Sequence, residues 1–289
     1  MKDGKPTILS IQSSVAYGHV GNSAAVFPLQ RLGVEVWPVL TVHFSNHTGY
    51  ETVRGPVLPA ADIADVVRGI TERGVLGRCD AVLSGYMGSP ALGGTILETV
   101  ETVRKSASGA LYCCDPVMGD TDRNFFVKPD LADFIRDRAV PSASIITPNQ
   151  FELEFLTGTP IADLHDALKA ARRMIERGPR VVLLTSFLRA TGSKDDVIEL
   201  MAVTAEGAWI SATPRLPIAV NGCGDMTAAL FLAHFLIHGD PAEALWRTVS
   251  SVFAVLELTC HTGSREIELI AAQDAIAHPP ERFFAEKVA

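Results

Sequence analysis

Several features that would place a protein in a large functional class are missing from this 289-residue chain. Its five cysteines, Cys79, Cys113, Cys114, Cys223 and Cys260, show neither CxxC spacing nor an even count for pairing. That excludes a disulfide scaffold and points to a reducing compartment, with the thiols serving as small apolar fillers. No apolar run has the length of a membrane span, and the richest, Ala228 to Ile237, is interrupted by His234. The start, Met1 to Pro6, is short and polar, unlike a signal peptide. A net charge of −8 without any basic cluster argues against a nucleic-acid surface. The expectation is a soluble cytoplasmic protein that engages neither nucleic acid nor membrane. There is no internal repeat, no low-complexity stretch and no linker of inter-domain length, so residues 1–289 read as one domain. Also missing are the GxxxxGK(S/T) phosphate loop, GxGxxG after the first strand, and the GxSxG elbow of serine hydrolases.

What is present is a strand–helix alternation in a chain that is 47% hydrophobic and 20% charged. Strands are expected at Thr7 to Gln12, Val34 to Leu40, Ala81 to Ser84, Ala110 to Cys114, Ser144 to Asn149 and Val181 to Ser186. Helices are expected from Ser23, as cap, to Leu32, and over Asp62 to Arg73, Ala91 to Lys105, Pro129 to Arg138 and Asp163 to Arg177. Further helices end at His238, run from Ala242 towards Thr259, and span Arg265 to Ala277. This order predicts an α/β fold with a mostly parallel sheet. Val197 to Val203 and Gly207 to Ser211 read as a peripheral antiparallel pair, and residues 42–57 as a small β flap over a site. His43 and His47 lie in that flap, but no Cys or carboxylate stands at ligand spacing, so a zinc site is rejected.

The chain is organised around Val220-Asn221-Gly222-Cys223-Gly224-Asp225 and the helix-forming run that follows. Glycines at a loop-to-helix junction let backbone amides converge, and the helix dipole adds positive potential suited to a transferring phosphoryl group. Asp225 would stay ionised there and accept a proton from an attacking hydroxyl. Taken alone, the stretch is also compatible with an ordinary Gly-rich turn capped by Asp225. Asp115 and Asp120, in a Pro/Gly turn after a buried strand, are candidates to help hold Mg²⁺, directly or through water. Asn149 is placed to cap the helix that carries Glu152. Ser13, Asp115, Asn149, Thr185 and Asp225 all collect at one sheet edge, where open α/β sheets bind ligands. An anion-binding turn, an acid as base and separate carboxylates for a metal together describe phosphoryl transfer.

At this point the sequence resembles the pyridoxal kinases of the ribokinase-like superfamily over essentially its full length. The resemblance rests on Gln12-Ser13, Tyr17 to Ala25, Phe44-Ser45-Asn46-His47-Thr48-Gly49-Tyr50 and Leu83 to Tyr86. It continues through Cys114 to Asp120, Ile146 to Glu152 and Gly222-Cys223-Gly224-Asp225. It implies a three-layer α/β/α sandwich and ATP-dependent phosphorylation of pyridoxal, with pyridoxine and pyridoxamine as related acceptors. It also implies Mg²⁺, a monovalent cation as a further candidate, and a homodimer that the flap helps to form. Asp225 would be the base and the amides of Gly222, Cys223 and Gly224 the anion hole. Ser13, Thr48, Gly49 and Tyr86 would meet the vitamin. Asp115, Thr147, Asn149, Glu152, Thr185 and Ser186 would surround the nucleotide, with Asp115, Asp120 and Glu152 about the metal. Cys223 departs from the Thr that many relatives carry, and a thiol there is expected to bring oxidation sensitivity. The loop Thr121 to Lys128 matches the family poorly. Competing readings are a hydroxymethylpyrimidine or sugar kinase of the same superfamily, and a vitamin-binding protein without catalysis.

Overall fold

The computed structural model describes residues 5–189 and 197–289; Met1 to Gly4, part of the polar start, lie outside the described residues. In chain order the elements are β1 (Thr7–Val15), α1 (Asn22–Arg31), β2 (Glu35–Phe44), α2 (Ala60–Glu72), β3 (Ala81–Ser84), α3 (Pro90–Ser106) and β4 (Leu111–Cys114). Then come β5 (Gly119–Asp120), β6 (Asn124–Phe125), α4 (Pro129–Phe134), a π turn (Ile135–Ala139), α5 (Val140–Ser142), β7 (Ile145–Ile146), α6 (Gln150–Thr157) and α7 (Leu164–Ile175). The chain closes with β8 (Val181–Phe187), β9 (Val197–Val203), β10 (Ala208–Pro214), α8 (Cys223–His238), α9 (Pro241–Thr262), α10 (Gln273–Ala277) and β11 (Glu286–Lys287).

Nine strands form one sheet in the order β11-β10-β9-β8-β7-β4-β3-β1-β2. The pairs from β2 across to β8 are parallel, and β9, β10 and β11 add on antiparallel. Side-chain alternation along the strands creates the layers. Leu9, Ile11, Val82, Tyr112, Cys114, Val182 and Leu184 face one core, shared with α2, α3, α4, α6 and α7. Ile8, Ala81, Leu83, Cys113, Val181 and Leu183 face the other, covered by α1, α8 and α9. Strands buried on both faces read as near-continuous apolar runs, as these do. Helix α8 is apolar almost all round because it is packed on two sides: Ala229, Phe231 and Leu232 meet the sheet layer, and Met226 and Leu230 meet a third cluster with Val255, Ile267 and Leu269.

Four expectations need correction. Helix α1 begins at Asn22 behind Gly21, and Ser23 does not cap it, because its hydroxyl donates to the Val15 carbonyl at 2.8 Å. The antiparallel pair is not peripheral but continues the main sheet. The last helix is confined to Gln273–Ala277. Residues 264–269 are not helical because Ile267 and Leu269 are buried two positions apart, while the Ser264 hydroxyl bonds the Glu266 carbonyl (2.7 Å) and accepts from the Glu266 amide (3.2 Å). The loop after Asp120 is not wholly irregular, since Asn124–Phe125 pairs back on Gly119–Asp120. Among the described residues no helix is long and apolar enough to cross a membrane.

Candidate active site

Helix α8 starts behind Gly222, whose φ of 86° is left-handed and favours glycine. A side chain there would also run into the His19 carbonyl. The residue before the helix offers no side-chain cap, which leaves the amides ahead of Asp225 open to an anion. At Gly224 the opposite holds: nothing lies within 4 Å of where a Cβ would stand. Asp225, in the first turn and half-buried, reaches the end of β3, where its Oδ1 is 3.5 Å from the Cβ position of Gly85. Burial raises the pKa of Asp225, and the amides of Gly21 and of Asp225 itself partly oppose that rise. Burial also pushes the Cys223 thiol up to about 11, offset by a Thr227 hydrogen bond and reinforced by the Asp225 charge. A pKa above the ordinary thiol value lowers the thiolate fraction on which the oxidation sensitivity expected from sequence would depend.

A second group of acids stands where β4 and β7 end. Asp115 is buried and its Oδ1 accepts from the Thr147 hydroxyl at 3.0 Å. Glu152, also buried, accepts from the amides of Met118 (2.9 Å) and Gly119 (3.5 Å) with one oxygen and from Asn149 (2.9 Å) with the other. The Asn149 side chain accepts from the Glu152 amide in return, at 2.9 Å, which closes a capping box on α6. Its Nδ2 donates to the Gly119 carbonyl at 2.8 Å and so docks the β5 turn on that helix. Burial, then the charges of Glu152 and Asp225, push Asp115 well above the usual carboxylate range, with Thr147 pulling the other way. Burial pushes Glu152 up to about 7 despite its three amide donors, and the charge of Asp120 adds to the rise. For Asp120 burial is outweighed by the Arg123 side chain and amide, which hold its pKa low. Among the described residues no three His, Cys, Asp or Glu side chains are grouped as direct metal ligands.

The other predicted residues are distributed around these two groups. Ser13 sits at an irregularity in the β1–β2 register, between Gln12 and Ser14, and packs against Gly21. Thr185 donates its amide to the Pro148 carbonyl at 2.9 Å and bridges to Asn149. Ser186 beside it is exposed, with φ 52°. Tyr86 is half-buried just past β3. Thr48 and Gly49 are exposed on the segment 45–56, and the Cβ position of Gly49 is 3.0 Å from Asn221 Nδ2, beside the glycine turn. Asn221 also accepts from Arg123 at 3.4 Å. The strand ends thus bring Asp115, Thr147, Asn149 and Glu152 together, close enough to Asp225 for its charge to act on Asp115, while Asp120 pairs with Arg123.

Three residues were given no role from sequence, although Asn22 and Gly85 lie within the stretches that carry the resemblance. Asn22 is buried and donates to the carbonyls of Ser10, Gln12 and Val39, tying the loop after β1 to two strands. Gly85 leaves room for Gln12, whose Oε1 is 2.5 Å from its Cβ position, and for Asp225. Glu266 gathers hydrogen bonds from three other positions. A lone Asn after Gly21 is a weak signal, and Glu266 was hidden inside a helix that does not form.

The sequence matches the phosphomethylpyrimidine kinase family over residues 57–267. It is 59% identical over 286 residues to pyridoxal kinase PdxY of Rubrobacter xylanophilus, covering 99% of each chain. The chain belongs to the pyridoxal kinase family. Pyridoxal kinase PdxY of Deinococcus radiodurans is 53% identical, over 97% of this chain and 96% of its own. The fold agrees with pyridoxal kinase from Leishmania donovani, solved with ADP and ginkgotoxin, at a TM-score of 0.92 and 27% identity over 99% of this chain and 100% of that one. The same Leishmania kinase with ADP and pyridoxamine gives 0.91 at 27% identity, with the same coverage. Pyridoxal kinase relatives thus cover nearly the whole chain.

Proposed function

We propose that this kinase transfers the γ-phosphoryl group of ATP to the 5′-hydroxymethyl oxygen of pyridoxal, with Asp225 as base. The observation that carries the reading is a half-buried carboxylate of raised pKa in the first turn of a helix whose amides have no side-chain cap. A base whose pKa moves towards the working pH is better matched to its task. Asp225 takes the hydroxyl proton as the substrate oxygen bonds to Pγ, and the bond from Pγ to the β–γ bridging oxygen breaks to release ADP. Charge on the transferring group is met by the amides of Gly222, Cys223 and Gly224.

Ser13, Thr48, Gly49 and Tyr86 are assigned to the vitamin, with residues 42–57 as its cover. Asp115, Thr147, Asn149, Glu152, Thr185 and Ser186 are assigned to the nucleotide. Asp115, Asp120 and Glu152 supply hard oxygen donors; burial first, and neighbouring acids second, raise the pKa values of Asp115 and Glu152, and a divalent cation would favour their ionised forms. These residues fit Mg²⁺ held largely through water and phosphate oxygens; when bound it neutralises phosphate charge. A monovalent cation, pyridoxine and pyridoxamine as further acceptors, a homodimer and a cytoplasmic setting complete the reading.

The test is coupled ADP release with Mg²⁺, ATP and pyridoxal. Asp225→Asn is expected to lose about 10²- to 10⁴-fold in kcat while still binding pyridoxal. A wild type that binds pyridoxal without turnover would favour a non-catalytic vitamin-binding protein. The phosphomethylpyrimidine kinase match supports a second reading, a hydroxymethylpyrimidine kinase. Turnover with that alcohol and not with pyridoxal would establish it.

A further inference from the structure

Glu266 follows α9 at a place remote in sequence from every motif discussed above. Its carboxylate can only accept, and three donors converge on it. The His19 amide reaches Oε2 at 3.0 Å; the His47 ring (3.0 Å) and the Tyr50 hydroxyl (2.7 Å) both reach Oε1. The Gly49 amide donates to His47 Nδ1 at 3.2 Å, which leaves His47 Nε2 to face Glu266. The Arg265 guanidinium lies 4.5 Å from the centroid of the Tyr50 ring, closing over the same segment. The Glu266 side chain is only 12% exposed. Any side chain at Gly18 would collide with its carboxylate, so the loop after β1 is folded directly onto it.

The next residue extends these contacts to the glycine turn. Ile267 is buried, and its Cδ1 lies 3.4 Å from the Cβ position of Gly222. The His19 carbonyl presses on the same glycine, while the His19 amide is held by Glu266. One dipeptide thus touches the segment 45–56, the loop after β1 and the turn in front of α8.

We propose that Glu266 is a positioning residue that latches residues 45–56 over the vitamin and, through His19, holds the loop after β1 against the glycine turn. The inference rests on the pyridoxal reading for its substrate, but the latch itself is independent of that substrate. Replacing the acceptor-only carboxylate by an amide leaves at least one of the three donors facing an NH₂ group.

The experiment uses the full chain with Glu266→Gln, Tyr50→Phe and the double variant. Without ligands, amide hydrogen exchange of Glu266→Gln is expected to quicken in residues 45–56 and 18–21 and to stay unchanged in β1, β3 and β4. In steady state its KM for pyridoxal should rise by about tenfold, with KM for ATP unchanged. Tyr50→Phe should raise it less, and in the Glu266→Gln background it should add less than it does alone, because the two residues share a hydrogen bond whose charged acceptor is gone. Unchanged exchange with pyridoxal KM within about twofold of wild type would overturn the proposal. Equal acceleration in every strand would also overturn it, since that is general destabilisation. Should Glu266→Gln not fold, His47→Gln and Tyr50→Phe apply the same two readouts to single bonds. If the wild type fails to phosphorylate pyridoxal, the substrate assignment falls, and exchange alone decides the latch.

Discussion

Gly222 and Gly224 flank one cysteine yet answer to different constraints. Gly222 is fixed by a left-handed backbone and by the His19 carbonyl, whereas Gly224 faces open space. Gly222→Ala is therefore expected to destabilise the fold by about 1–3 kcal/mol or more, seen as a lower melting temperature together with lost activity. Gly224→Ala should melt no lower than wild type, since alanine favours a helix by up to about 1 kcal/mol over glycine. Its methyl group would occupy the space in front of the proposed anion hole, so ADP release should still collapse. Parallel melts and assays separate the two. The Gly-x-Gly-Asp spacing was readable from the chain, and so was its position at a helix start. Which glycine is structural was not, because the atom that forbids a side chain belongs to His19, near the other end of the sequence. The raised pKa of the Cys223 thiol was equally unreadable, since it comes first from burial, which sequence does not show.

At the scale of elements, the capping box on α6 joins packing to the site. Asn149 satisfies the Glu152 amide and the Gly119 carbonyl, and its own amide satisfies Glu152. Asn149→Ala is expected to cost about 1–2 kcal/mol in denaturant unfolding. It should also weaken ATP binding more than pyridoxal binding, because the β5 turn loses its anchor; calorimetric titration of both ligands would check the asymmetry. This element was legible, since an Asn three residues ahead of a Glu and an apolar run is a helix-start signal. The buried strands were legible too, by their apolar runs, although β1 extends through Val15 and β2 through Phe44, past the predicted ends. Ser23 misled as a cap because its hydroxyl is taken by the Val15 carbonyl across the loop, and the segment after Ser264 misled because Ile267 and Leu269 are drawn into the core. Tertiary contacts decided there, and propensity did not.

For the whole molecule, the crowded acids link stability to pH and to cations. Glu152 has its pKa raised from 4.5 to about 7, so the folded state holds that proton more tightly than the unfolded chain does. Its stabilising contribution is complete below pH 4.5 and is lost as pH rises through about 7, up to about 3 kcal/mol in all. Asp115 and Asp225 act with the same sign. Buried His234, its pKa lowered to about 3, has the opposite sign and favours the fold increasingly as pH rises to 6.5. Above pH 6.5 the acids should dominate, so without divalent cations the melting temperature is expected to fall between pH 6.5 and 8. Mg²⁺ should restore it at pH 8 and do little at pH 5, and Glu152→Gln should flatten the slope; scanning calorimetry would check all three. The layered arrangement has a consequence for how the protein is made. The face of the sheet bearing Ile8, Leu83, Cys113 and Leu183 is covered by α1, α8 and α9, and the last two follow residue 222. At ribosomal speeds of about 5–20 residues per second, that face waits tens of seconds or less for its cover. During synthesis it is a bare apolar surface beside an incomplete site, and it is there that a nascent chain of this protein most needs a chaperone's hold.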